Sequence, residues 1–159
     1  MKGRIMADLK PIQISGWLKD VNDNFDSLAS LTGLHITKFT FDTAANDAAS
    51  TPKSNKTVGA HPLAVTIPDN AIVIQGFVDV IAAVTSDGDA TVAIHLANAN
   101  DLLAATGKAN LTLAAQLPMA AVIAAPIKLA SEKAITVTVG TAALTAGKID
   151  GYIIWIEGA

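Results

Sequence analysis

The chain has 159 residues, enough for one domain that buries a core without covalent staples. It contains no cysteine, which excludes disulfides and thiolate metal sites and fits synthesis in a reducing cytoplasm. A formal net charge of -3 gives no electrostatic basis for binding nucleic acid or an anionic membrane.

At the front, Ile14, Leu18, Val21, Phe25 and Leu28 recur with steps of four and three, and Trp17 and Leu31 lie beside that stripe. The spacing predicts one amphipathic helix, "GWLKDVNDNFDSL" over Gly16–Leu28, with Lys19, Asp20, Asn22, Asp23 and Asp26 on the polar side. Ser15 is its N-cap and Gly33 its stop. Residues 1–33 are therefore an arm and helix, and the seam Ile14, Trp17, Leu18, Val21, Phe25, Leu28 and Leu31 is the candidate surface for oligomerisation or attachment. A lid on the chain's own β domain, a bundle along an oligomer axis and an arm gripping another protein all remain open for it. The seam does not fix an oligomer number.

Residues 34–159 read as strands and turns. "LHITKFTF" (Leu34–Phe41) alternates, with Thr37, Phe39 and Phe41 on one face. Residues 42–62 form a long polar loop, of the kind that is functional or mobile in compact domains. "LAVTIP" (Leu63–Pro68) is a strand closed by the turn "PDN", and Ala71–Ser86 is one long strand or two, with Gly76 as a bulge candidate. The "DGD" turn at Asp87–Asp89 predicts a hairpin into Ala90–Ala97. Residues 98–110 read as irregular or a short helical turn, Leu111–Leu117 and Ala125–Ala130 as short strands. Lys133–Gly140 alternates with Ile135, Val137 and Val139 inward, and Lys148–Gly158 closes the domain, with Tyr152 and Trp155 on opposite faces. Seven to nine short strands predict a mainly β protein, an antiparallel β-sandwich of jelly-roll type, with one N-terminal amphipathic helix.

No catalytic constellation is visible. His35, His61 and His95 stand apart in sequence, without a carboxylate or second histidine at ligand spacing, and no nucleophile elbow surrounds a serine. "GTAALTAGKI" (Gly140–Ile149) fails as a phosphate loop, because six residues separate its glycines and Ile149 replaces the metal-binding hydroxyl. It reads as a hairpin connection. Asp87 and Asp89, or Asn98, Asn100 and Asp101, offer oxygens to calcium without the spacing that would supply six ligands. No cofactor, no metal and no enzymatic activity are expected.

The apolar run Leu117–Ile127 is too short to span a bilayer and has proline near both ends; no secretory h-region lies behind the first residues. Charged residues make up 16% of the chain and hydrophobic ones 51%, which points either to a surface covered by other protein or to a surplus of alanine.

Two segments carry a resemblance: Val65–Leu102, with "IPDNAIV", "F-x-D-V" at Phe77–Val80 and "ANDL" at Ala99–Leu102, and Ile127–Gly158, with "LTAGKIDGYI" at Leu144–Ile153. They resemble small virion structural proteins of tailed bacteriophages, of the capsid decoration, cement or head-fibre type. The resemblance implies a sandwich, often homotrimeric, seated on the capsid exterior against the major capsid protein and made in the host cytoplasm. It brings no catalytic residues. The alternative it leaves open is a head- or tail-fibre adsorption module that binds host glycan or surface protein, with residues 42–62 and 98–101 as the contact surface.

Overall fold

The structure, a computed structural model, describes residues 33–121 and 124–158. The helix expected over Gly16–Leu28, with its seam, lies outside the described residues.

Among the described residues nine strands occur in chain order: β1 (Leu34–Asp42), β2 (Gly59–Ile67), β3 (Ala71–Thr85), β4 (Thr91–His95), β5 (Leu103–Gly107), β6 (Gln116–Pro118), β7 (Ile127–Lys128), β8 (Lys133–Gly140) and β9 (Ala146–Glu157). A short 3₁₀ turn, Lys108–Asn110, comes directly after β5. One sheet has the order β1-β9-β3-β6, with β7 also paired to β3, and the other has the order β2-β8-β4-β5. The pairs for which the register is resolved are antiparallel.

The inner faces of both sheets meet in one core. Phe39 and Phe41 of β1, Val73, Val78 and Val80 of β3 and Ile149 and Ile153 of β9 come from the first sheet. Ile67 of β2, Val92 and Ile94 of β4 and Ile135, Val137 and Val139 of β8 come from the second. β8 shows the cause most plainly: a pleated strand sends successive side chains to opposite faces, so Ile135, Val137 and Val139 are buried while Thr136 and Thr138 are half-buried on the other side. The sandwich expected from the alternation is the one observed.

The connections differ from expectation. β3 pairs with β6, β7 and β9, whereas β4 pairs with β5 and β8, so the Asp87–Asp89 turn carries the chain from one sheet to the other and makes no hairpin. The segment between β8 and β9 does the same, because those strands belong to different sheets. An Asp-Gly turn reverses the chain locally; pairing also requires the flanking strands to lie side by side. Here Ser86 Oγ donates to Ala143 O (2.6 Å) and Thr145 N donates to Thr85 O (2.8 Å), so the end of β3 is held by the segment leading into β9. Residues 98–110, expected as irregular or a short helical turn, contain β5 and the 3₁₀ turn Lys108–Asn110.

β3 also departs from simple alternation. Its register against β9 slips between Val73 and Gln75, between Val80 and Ala82 and between Ala82 and Thr85. The first slip falls at Ile74, two residues before the expected position at Gly76. Gly76 instead allows close approach: a Cβ there would run into the Met119 sulfur and lie 2.9 Å from Tyr152 O. Each slip inserts a residue and turns the later side chains of the strand to the other face. Val73 faces the core before the first slip and Val78 and Val80 face it after, so Phe77 and Asp79 point outward.

Candidate interaction face

The outer face of the β1-β9-β3-β6 sheet carries a row of side chains set by the strand register. Phe77 of β3 stands opposite Tyr152 of β9 on one side and Pro118 of β6 on the other. The Phe77 and Tyr152 rings stack with centroids 4.9 Å apart and an interplanar angle of 18°. The Lys38 ammonium from β1 sits over the other side of the row, 5.6 Å from the Tyr152 centroid. A cation on one ring, which stacks on a second, is an arrangement that both quadrupole and dispersion terms favour.

One carboxylate fixes the charged end. Asp150 Oδ2 lies 2.7 Å from Lys38 Nζ, and Asp150 Oδ1 accepts the Thr40 hydroxyl at 2.6 Å. Burial alone would push the Asp150 carboxyl up; the hydrogen bonds from Lys38 and Thr40 outweigh it and hold the group below the usual carboxylate range. The hydrogen bond to Asp150 likewise raises Lys38 above its ordinary value. Asp79 stands directly opposite Asp150 in the ladder, an unfavourable like-charge pair on its own, and Lys38 approaches from the far side to offset it.

Around this row the face is apolar and open. Ile36, outward like Lys38 and Thr40 on β1, is 68% exposed, Ile81 43% and Phe77 itself 39%. Exposed aliphatic and aromatic groups around a pre-ordered aromatic pair suit contact with another protein, since little rotamer freedom is left to lose on binding.

The histidines are not alike. His35 stacks on Trp155, with centroids 4.1 Å apart, and its Nε2 lies 3.6 Å from Glu157 Oε1. His95 is half-buried and its Nδ1 has no partner. His61, set apart from any carboxylate in sequence, is fully buried against Asp47, fourteen residues away, at 3.1 Å. No periodic signal links those two positions, because their contact depends on how residues 43–58 fold back. That segment is hydrogen-bonded within itself and to β2. Ala48 N donates to Pro62 O, Asp47 N to Lys53 O and Asn55 N to Ala45 O, and Asn46 and Ser54 form a β-bridge.

Of the candidate calcium oxygens, those of Asp101 are used otherwise. Asp101 accepts backbone N–H groups from Leu96, Ala97 and Asn98 at 2.8–2.9 Å, which closes its own turn. Among the described residues no three His, Cys, Asp or Glu side chains are grouped to hold a metal, and no helix is long and apolar enough to cross a membrane. The seam residues Ile14, Trp17, Leu18, Val21, Phe25, Leu28 and Leu31 lie outside the described residues.

No protein-family model and no curated protein matches the chain. Solved structures do share its fold. A chain from the acid-stable capsid structure of Helicobacter pylori bacteriophage KHP30 is similar with TM-score 0.54 and 15% identity, over 79% of this chain and 89% of that one. A chain from the cyanophage Pam1 capsid asymmetric unit gives TM-score 0.56 and 12% identity, over 78% and 84%. One from the capsid of Ralstonia phage GP4 gives 0.51 and 16%, over 79% and 86%. At such identities the likeness is one of fold.

Proposed function

We propose that this chain is a non-enzymatic structural protein of a tailed-bacteriophage virion, bound at the capsid exterior as a decoration or cement protein. The observation that carries the reading is the fold likeness to chains from three phage capsid structures over 78–79% of the sequence. The strand order adds to it: with β1-β9-β3-β6 facing β2-β8-β4-β5, most successive strands change sheets, which is the winding of a jelly roll.

Such a protein works by covering surface. The face bearing Ile36, Tyr152, Phe77 and Ile81 is read as the contact with the major capsid protein, and the seam from Ile14 to Leu31 as the device that joins copies into a homotrimer or anchors them to the shell. A stable contact of this kind buries on the order of 1,200–2,000 Å². Because it forms only on the assembled shell, it stabilises the shell over its separated subunits by linkage.

The test is a comparison of virions with and without the protein. Particles lacking it are expected to release DNA at lower temperature or milder osmotic shock, and adding purified protein back restores them. Unchanged particle stability together with lost adsorption to host cells would replace this reading with the adsorption-module one.

A further inference from the structure

Along the outer row of β3 a carboxylate stands between two exposed apolar side chains. Phe77 is 39% exposed and Ile81 43%, and half-buried Asp79 lies between them. Side chains two apart on a strand share a face, so a protein that covers Phe77 and Ile81 covers Asp79 as well.

The fold does not neutralise that carboxylate. In the ladder Asp79 stands between Asp150 of β9 and Gln116 of β6, and among the described residues no hydrogen bond or ion pair holds its side chain. The two lysines of this part of the face are taken up on the β1 side. Lys38 Nζ lies 2.7 Å from Asp150 Oδ2, and Lys148 Nζ lies 3.3 Å from Asp42 Oδ2. Two ammonium groups thus meet three carboxylates, Asp42, Asp79 and Asp150, and the surplus negative charge falls at Asp79. Like charges directly opposite in a ladder destabilise a sheet, so a neutral side chain at this position would suit the fold better. While the face is open, water solvates Asp79. Under a docked protein, a carboxylate stripped of water and left unpaired would cancel what the burial of Phe77 and Ile81 contributes.

We propose that Asp79 determines which partner the outer face accepts: it is the socket for a lysine or arginine side chain that the partner sets among apolar groups. The inference rests on the reading of this face as the contact with the major capsid protein, and it names what that protein presents there. A basic side chain meets Asp79, and aliphatic or aromatic neighbours meet Phe77 and Ile81. Among the described residues no third acidic or histidine side chain joins Asp79 and Asp150 to hold a metal ion, so the cation is one the partner carries. The same carboxylate rejects wrong partners, because a wholly apolar surface would leave it unpaired and an acidic one would repel it.

The test is binding of the full chain to capsids stripped of it. Asp79→Asn is expected to melt at the temperature of the unaltered chain or above it, and to bind at least about tenfold more weakly. Its affinity should also fall less steeply with salt, because one charge pair is gone. Asp79→Lys, which sets like charges against each other, should bind more weakly still. Full binding by Asp79→Asn, or weaker binding with an unchanged salt dependence, would overturn the proposal; a loss on Phe77→Ser would then still leave this face as the contact. A lower melting temperature for Asp79→Asn would make Asp79 a structural residue and overturn it too. If neither Asp79→Asn nor Phe77→Ser weakens binding, the contact lies elsewhere and the reading of the face falls with the proposal. No binding by the unaltered chain would remove the capsid as partner altogether.

Discussion

The ring of Phe39 occupies the space in which a side chain on Gly151 would stand: a Cβ built there meets three of the ring carbons. The two residues lie on β1 and β9, far apart in sequence, and Phe39 is 1% exposed at the centre of the core. The missing side chain on one strand is thus the seat of a large aromatic ring on its neighbour, and that fit limits both positions.

Gly151→Ala is therefore expected to destabilise the protein by about 1–3 kcal/mol, the usual range for an extra methyl group forced into a packed core. Phe39→Leu in the same chain should recover part of the loss by vacating the ring's edge. Urea midpoints of the single and double variants measure it; an additive double variant would show that the two positions do not share one space.

The Lys38–Asp150 pair gives the fold an acid-sensitive component. Asp150 is depressed in the folded chain, so its contribution is present above the unfolded carboxylate value, about 3.9, and is lost as pH falls through the lower folded value. Asp150→Asn should flatten the loss of stability between neutral pH and about pH 2. Denaturation midpoints across that range decide it, and an unchanged pH profile would exclude a role for the pair.

Phe77 is expected to matter for association more than for folding. At 39% exposure on the outer face it leaves the core intact when cut back, so Phe77→Ser should shift stability by less than about 1 kcal/mol. If this face meets the capsid, the same change lowers affinity for stripped particles by at least about tenfold, equivalent to about 1.4 kcal/mol. Sedimentation with particles measures the second effect and thermal melting the first. Full binding by Phe77→Ser would move the contact elsewhere.

Deleting residues 1–31 is expected to leave the β domain folded, since among the described residues the core is built between Leu34 and Glu157, and, if the proposed function holds, to abolish trimer formation or capsid binding. Circular dichroism and light scattering separate those results. Loss of β structure would show instead that the apolar stripe completes the core.

The sequence by itself determined where many of the strands form, though not β5 or the start of β2, and which way several of them face. Alternation in Leu34–Phe41 and Lys133–Gly140 placed Phe39, Phe41, Ile135, Val137 and Val139 inside, and the opposite faces of Tyr152 and Trp155 came from the same period of two. Periodicity reports on a strand's own two faces and carries nothing about its neighbour, because ladder hydrogen bonds run between backbones that are alike at every residue. Tertiary structure alone decided that β3 and β4 belong to different sheets, that the Asp87–Asp89 turn crosses between them, and that β3 slips at Ile74. That slip puts Phe77 outside, where strict alternation from Val73 would have buried it together with Asp79. The same holds for Asp47 under His61 and Phe39 over Gly151: each pair is made by chain return, and only the packed sandwich sets the distance across which its two members meet.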